Sequence, residues 1–323
     1  MRILSAITAV FLLGNSPVQA QDPAAGFPSK SIRIYGQGTG STADYLSRYV
    51  GQKLTERWGQ PVIVDSAAGA GGTIPTNAVA KSPPDGYNLV MGHIGPMVSA
   101  VTLYARSLAY DPVRDFEPVT MVGQGVVVLV VNPEMPVSTA QEFIAYAKQK
   151  GDLAYSSAGN GSTSHLTGEL LKRITGVPLQ HIPYKSAGNA LTAMLTGEVQ
   201  VSFLSPLTAH AQLKAGKVKA LAVSSATRFA GSPEIPGAAE AGIPGMDVRL
   251  WFGLFAPAKT PKSVVAKLNR EIGEILRNPE TQETFLKQGV AATPGTPEEL
   301  GEWVKTELAR WTPVIQATGI KAD

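Results

Sequence analysis

The feature that most restricts the fold is the alternation of short apolar runs with helical segments along the chain. Runs such as 32–35, 62–64 and 126–131 have the length of strands, and segments such as 139–150 repeat apolar residues at helical spacing. This alternation predicts an α/β fold with mainly parallel sheets and flanking helices. In such sheets ligands bind beyond the C-terminal ends of the strands, so the loops there are the candidate site.

One such loop lies in the stretch 155–165, which reads Tyr-Ser-Ser-Ala-Gly-Asn-Gly-Ser-Thr-Ser-His. A strand-like approach leads into Gly159 and Gly161, and a helical pattern begins near Ser162 or Ser164. The first N–H groups of a helix lack internal partners and carry partial positive charge. Glycine also lets a ligand come close to the backbone. The stretch therefore predicts a binding site for a small carboxylate.

A second loop of this kind, 36–41, follows the first strand. Ser41 is the expected N-cap of the next helix, with Asp44 at the capping-box spacing. Its glycines resemble a dinucleotide fingerprint, but the G-x-G-x-x-G pattern is incomplete. A plain strand-to-helix turn is a further alternative. We favour carboxylate binding because the loop at 156–164 would provide a facing partner, with one carboxylate docked on each.

Uncharged donors suit this task, because a carboxylate can accept several N–H bonds without a buried arginine. The predicted ligand-binding residues are Gly38, Thr39, Gly40, Ser41, Gly69, His93, Ser157, Ala158, Gly159, Asn160, Ser162, His165, Tyr184, Lys185, Ser186 and Ser205. The alternative for any one polar residue is a helix cap or a turn. For His165 three roles stay open, namely a ligand donor, a brace for the loop and a packed histidine.

Aromatic residues suggest an apolar wall to the site. Tyr184, Trp251 and Phe252 would form it and would admit an aromatic carboxylate, although Trp251 is more simply explained as core. Arg249 would reach a second carboxylate.

Residues 1–20 have the features of a signal peptide. Arg2 precedes an apolar run at 3–13, and residues 18–20 form a cleavage site of the A-x-A type. We expect export and cleavage after Ala20. No later apolar stretch is long enough to span a bilayer, so the mature protein is expected to be soluble.

Several functional classes are disfavoured by composition. The chain has no cysteine, which excludes disulfides, thiolate metal sites and a cysteine lipid anchor. The formal net charge is +3, and the basic residues are scattered, which argues against nucleic acid as a partner. The four histidines lack metal-ligand spacing, and residues 159–163 lack the nucleophile-elbow order, so we expect neither metal nor cofactor and no enzyme activity.

An ordered set of motifs spans nearly the whole mature chain. It comprises Ala-Gly-Ala-Gly-Gly at 68–72, Pro-Asp-Gly-Tyr at 84–87, Tyr-Asp-Pro-x-x-Asp-Phe at 110–116, Ser-Ser-Ala-Gly-x-Gly-x-x-x-His-Leu at 156–166, Pro-Tyr-Lys at 183–185, Trp-x-Gly-Leu-Phe-Ala-Pro at 251–257 and Gly-Ile-Lys at 319–321. The set resembles Bug-type receptors, the periplasmic solute-binding proteins of tripartite tricarboxylate transporters.

The resemblance implies a two-lobed periplasmic binding protein, type II-like, that closes like a Venus flytrap. Lobe 1 would comprise residues 21–125 plus 250–323, and lobe 2 residues 126–249. Its partners would be a small organic carboxylate, aliphatic or aromatic, and the membrane permease subunits, with the receptor itself a monomer. A secreted carboxylate-processing enzyme and a ligand sensor for a membrane kinase are the alternatives.

Three positions depart from the family pattern. The loop 38–44 lacks the usual prolines, Ser186 replaces a frequent glycine, and Leu204 stands where an aspartate often follows the strand phenylalanine. All three are expected to line the pocket and therefore to bear on which acid is bound.

Overall fold

A computed structural model of the protein describes residues 22–66, 70–318 and 320. Within these residues the strands are β1 (Ile32–Tyr35), β2 (Val62–Asp65), β3 (Asn88–Gly92), β4 (Phe116–Val126), β5 (Val128–Val131), β6 (Leu153–Ser157), β7 (Leu179–Pro183), β8 (Val201–Leu204), β9 (Lys219–Val223), β10 (Arg249–Pro257) and β11 (Val290–Ala292). They form two separate sheets with helices packed on them, which confirms the two-lobed α/β fold.

The helices lie mostly between the strands, as the alternation predicts. They are α1 (Thr42–Trp58), α2 (Thr73–Ala80), α3 (Ala100–Leu103), α4 (Ala140–Lys150), α5 (Thr163–Thr175), α6 (Ala187–Leu195), α7 (Pro206–Lys214), α8 (Lys262–Arg277), α9 (Pro279–Lys287) and α10 (Pro297–Thr318). A π-helical turn at Gly95–Ser99 leads into α3. None of the helices in the described part of the chain is long and apolar enough to cross a bilayer.

The first lobe contains a six-stranded sheet in the order β11-β4-β10-β3-β1-β2, and the second a five-stranded sheet in the order β7-β6-β8-β5-β9. The expectation of mainly parallel sheets needs correction, because both sheets are mixed. β1 is parallel to β2 and β3, and β6 is parallel to β7 and β8. β10 is antiparallel to β3 and β4, β11 to β4, and β5 to β8 and β9.

The antiparallel pairings follow from the path of the chain between the lobes. β4 carries the chain out of the first sheet and β5 continues it into the second, with only Val127 between them. β10 brings the chain back. The neighbouring strands point with their C-terminal ends into the space between the lobes. β5 and β10 leave this space, so they run antiparallel to those neighbours.

Helix α1 illustrates how local sequence sets these elements. The Ser41 side chain accepts a hydrogen bond from the first turn, and Gly59 ends the helix in the left-handed conformation with φ of 66°. Leu46, Val50 and Leu54 follow one another at intervals of four positions, and their side chains are fully buried in the same cluster as Ile34 of β1. Burial of this face fixes α1 on the sheet and places its first turn at the end of β1.

The last helix joins the strand that returns the chain to the first lobe. Glu307 of α10 is buried and accepts hydrogen bonds from the indole N–H groups of Trp251 and Trp311, both at 3.2 Å. Burial raises the pKa of Glu307, against the opposing influence of Arg310. Both tryptophans belong to a core cluster that contains side chains from both sheets.

Some sequence predictions of elements were incomplete. The apolar run 126–131 is not one strand, because β4 ends at Val126 and β5 begins at Val128. The greater part of β4 and the short β11 carry no clear periodicity in the sequence and were not anticipated. The predicted signal peptide at residues 1–20, with its predicted cleavage site, lies outside the described residues.

Candidate functional site

A cavity of about 630 Å³ lies between the two lobes. Loops that follow β1, β2, β3, β6, β7 and β8 all contribute to its lining. The lining is completed by Val127, between β4 and β5, and by Leu250 and Phe252 of β10. The cavity therefore occupies the position that the strand-and-loop pattern predicts.

The cavity receives the N-termini of four helices that begin with the same kind of cap. In α1, α5, α6 and α7 a serine hydroxyl accepts the N–H of the third helical residue, at 3.1–3.3 Å; these serines are Ser41, Ser162, Ser186 and Ser205. All four serines line the cavity. Because each helix N-terminus carries partial positive charge, the convergence makes the cavity electropositive.

The caps leave the first N–H groups of each helix free of intrahelical partners. The residues in these positions that line the cavity are Thr42, Ala43, Thr163, Ser164 and Ala187. The four cap serines are among the predicted ligand-binding residues, whereas the residues directly after them are not. Their position next to a predicted N-cap was the available signal, because the first two amides of a capped helix point outward along its axis.

A buried carboxylate holds the loop after β1. Asp44 accepts hydrogen bonds from the Gly40 N–H and the Arg48 Nε, both at 3.0 Å, and from the Ser66 hydroxyl. Burial alone would raise the pKa of Asp44, but these hydrogen bonds and the charge of Arg48 hold it below its usual value. The ionised carboxylate therefore fixes the loop from behind.

A pair of stacked histidines supports the loop after β6. The rings of His165 and His181 lie 3.6 Å apart at 15°, His165 Nδ1 accepts the Gly161 N–H at 3.2 Å, and His181 Nε2 lies 2.6 Å from the Ser157 hydroxyl. Burial lowers the pKa of His165 to about 4 and that of His181 to about 3. Both rings are therefore neutral near pH 7, and each is in hydrogen-bond contact with the loop or its approach.

His93 lies at the end of β3 and lines the cavity. Its Nδ1 accepts the N–H of Gly95 at 3.1 Å. Burial lowers the pKa of His93 to about 4, so the ring is neutral near pH 7. A neutral ring that accepts at Nδ1 carries its proton at Nε2, which leaves Nε2 as a hydrogen-bond donor.

The loop after β7 contributes a ring and a cation. The hydroxyl of Tyr184 donates to Glu198 at 2.8 Å, and burial together with Glu198 raises the pKa of Tyr184 to about 12. Lys185 is exposed and lines the cavity beside it. Lys185 therefore adds a formal positive charge to that of the helix N-termini.

The two lobes touch across the cavity. The Thr42 hydroxyl of α1 donates to the hydroxyl of Ser205, the cap of α7, at 3.2 Å. Gly161 packs so closely on the first lobe that an added Cβ would lie 2.6 Å from Leu103 Cδ1 and 3.1 Å from Ser99 Cβ. Both contacts require the lobes to be close together.

Comparison with known proteins identifies the family. The profile of the tripartite tricarboxylate transporter family receptor matches residues 46–320. Protein BugT of Bordetella pertussis is 32% identical over 99% of this chain and 99% of its own. The chain is a receptor of the tripartite tricarboxylate transporter family. This is a family of substrate-binding receptors and not of enzymes.

Solved structures of related receptors share the fold. Rpa4515 of R. palustris, solved with adipate, superposes with a TM-score of 0.88 at 32% identity and covers 91% of this chain and 99% of its own. MatC of Rhodopseudomonas palustris, with bound malate, has a TM-score of 0.83 at 33% identity, over 90% of this chain and 100% of its own.

Most of the predicted site residues of this receptor line the cavity, namely Gly38, Ser41, His93, Ala158, Gly159, Asn160, Ser162, Tyr184, Lys185, Ser186 and Ser205. Thr39 and Gly40 are exposed and do not line it, and Ser157 and His165 are buried behind the loop after β6. Gly69 lies outside the described residues.

Two further expectations for this receptor need correction, those for Leu204 and Arg249. Leu204 does not line the cavity but packs in the core of the second lobe, because alternate strand residues point to opposite faces. Trp251 is core, and Arg249 is exposed and pairs with Asp247 at 3.5 Å. Phe252 and Tyr184 do line the cavity.

Several further lining residues of the receptor are not among the predicted site residues, although some of them lie in the loops and motifs named above. Besides the helix-start residues above, they are Gln37, Gly71, Gly72, Val127, Pro183, Phe203, Thr208 and Leu250. Among the described residues, no three His, Asp or Glu side chains gather as metal ligands.

Proposed function

We propose that this receptor captures a small organic carboxylate in the cavity between its lobes and delivers it to the membrane permease subunits of its transporter. The observation that carries the proposal is the convergence of four serine-capped helix N-termini on one cavity. Backbone N–H groups at helix starts bind carboxylates well. The adipate and malate in the two related structures support the same class of ligand.

The proposed lobes are residues 21–125 plus 250–323 and residues 126–249. Sheet membership supports this division, because the strands up to β4 and from β10 onward belong to one sheet and those from β5 to β9 to the other. Closure would then occur by a hinge at the two crossings. We further propose periplasmic export with cleavage after Ala20, and a monomeric receptor.

The predicted residues that line the cavity are proposed to bind the ligand together with the first amides of α1 and α5. Thr39, Gly40, Ser157 and His165 are proposed to act indirectly, by shaping the two loops. The distinction rests on the placement of each side chain relative to the cavity.

Thermal denaturation with a panel of aliphatic and aromatic acids tests the proposal. A ligand at about one hundred times its Kd stabilises the folded state by about 2.7 kcal/mol, which raises the Tm by several degrees. Chromatography of the recovered acid should return it unchanged. If no acid in the panel raises the Tm, or if the acid is converted, the proposed function is wrong.

A pair of cap variants tests the site itself. Ser162→Ala removes a cap that lines the cavity, and Thr139→Ala removes the cap of α4, which does not. Each should lower the free energy of unfolding by about 1 kcal/mol. Only Ser162→Ala should also weaken binding, and equal affinities in the two variants would contradict the assignment.

A further inference from the structure

Part of the cavity surface is made of apolar side chains from the two crossings between the lobes and from β8. We call Val127, Phe203, Leu250 and Phe252 the apolar floor. All four are at least nine-tenths buried. Leu250 and Phe252 are two positions apart on β10 and therefore point to the same face. A ligand resting on these side chains gains by burying hydrocarbon and loses by burying hydroxyl groups.

The rest of the lining is electropositive. Among the lining residues that the structure describes, Lys185 carries a formal positive charge. The four helix starts add partial positive charge. His93 is neutral because burial lowers its pKa to about 4, and its ring centroid lies 6.3 Å from that of Phe252. An ammonium group placed here would lose its hydration and would face the same sign of charge.

Two carboxylates that contact residues of these loops are already engaged. Asp44 lies behind the loop after β1, where it accepts the Gly40 N–H and the Arg48 Nε. Glu198 accepts the hydroxyl of Tyr184. Neither belongs to the residues that line the cavity. Neither carboxylate therefore offers a counter-ion to a ligand ammonium at the surface of the cavity.

We infer that the ligand is an organic acid with a hydrocarbon body, chain or ring, and no ammonium group. The inference rests on the proposed carboxylate-binding function and narrows it. The carboxylate would bind at the helix starts, and the hydrocarbon would cover the apolar floor. A cavity of about 630 Å³ is large enough for an aliphatic chain or a single ring.

Isothermal titration with matched acids tests the inference. Succinate, adipate and 3-phenylpropanoate differ from aspartate, 2-aminoadipate and phenylalanine by an ammonium group. Galactarate differs from adipate by hydroxyl groups on the same chain. We expect at least one acid of the first set to bind, and its amino or hydroxylated counterpart to bind at least about tenfold more weakly.

The outcomes separate the two proposals. If an amino acid or galactarate binds as tightly as its hydrocarbon counterpart, the inference is overturned while the carboxylate function stands. The same holds if only other acids, such as malate, bind. If no carboxylate of any kind binds, both proposals fail.

Variants of the apolar floor give a second test. Phe252→Ala should weaken binding of the best hydrocarbon acid by about tenfold or more, because it removes most of the apolar surface of that side chain. Phe252→Leu keeps an apolar side chain and should retain most of the affinity, and it serves as the folding control. An unchanged affinity in a folded Phe252→Ala variant would overturn the inference.

Discussion

The contact of Gly161 with the first lobe provides a test of lobe closure. Gly161 lies in the loop after β6 with φ of 73°, and Gly176 ends α5 with φ of 70°. A Cβ at Gly161 would meet Leu103 and Ser99 of the first lobe, whereas a Cβ at Gly176 would meet no atom within 4 Å. Alanine at the two positions therefore imposes the same backbone strain but differs in the contact across the cavity.

The expected losses of stability and of affinity follow from the backbone strain and from the contact across the cavity. An L-residue in the left-handed region costs about 1–2 kcal/mol, so both variants should lose that much free energy of unfolding. Gly161→Ala adds overlap at 2.6 Å with a mobile leucine methyl and at 3.1 Å with the Cβ of Ser99, which is fixed to the backbone. We assign about 1–2 kcal/mol to this overlap, at the lower end of overpacking costs. This overlap exists only when the lobes touch, so it destabilises the closed form that holds the ligand. The affinity for the ligand should therefore fall about five- to thirtyfold.

Isothermal titration with the tightest-binding acid of the panel and urea denaturation without ligand measure the two effects separately. Gly176→Ala should bind as the wild type does. Leu103→Ala in the Gly161→Ala background should recover part of the affinity, because it removes the methyl group nearest to the new Cβ, and Leu103→Ala alone serves as its reference. If the two alanine variants bind equally well, Gly161 does not report lobe closure and the reasoning is refuted.

Three further predictions concern single contacts. Thr42→Val removes the hydrogen bond to Ser205 across the cavity, and affinity should fall about two- to tenfold in titration with little change in Tm; a loss of Tm without loss of affinity would contradict a role in closure. His165 has a folded-state pKa near 4, against 6.5 for the free group, so the unfolded chain binds more protons and stability should fall as the pH drops from about 7 to about 5. In urea denaturation, the free energy of unfolding of His165→Gln should fall less over this pH range than that of the wild type. If its dependence on pH is unchanged, His165 is not the source of the fall. Glu307→Leu leaves two buried indole N–H groups without an acceptor and should lower the free energy of unfolding by about 2–3 kcal/mol, a loss that Glu307→Gln should largely avoid because its amide oxygen still accepts.

The strands and helices that carry strong periodicity were predictable from the sequence, and those without it were not. α1 and α5 follow from an apolar face and a serine cap, signals that lie within a few residues of each other. β4 owes its place to pairing with β10 and β11, and the sequence of β4 by itself does not encode those partners. Strand direction was also hidden, because periodicity is the same whichever way a strand runs.

The features of the candidate site likewise fall into those that the sequence predicts and those that it does not. The sequence by itself determined the glycine loops and the serine caps, because the conformation of a turn and the capping of a helix depend on neighbouring residues. Only the tertiary structure decided that Ser157 and His165 lie behind their loop, that Leu204 faces the core, and that Thr42 meets Ser205 from 163 positions away. The physical reason is that these placements depend on packing between segments far apart in the chain, whose relative positions exist only once both sheets have formed.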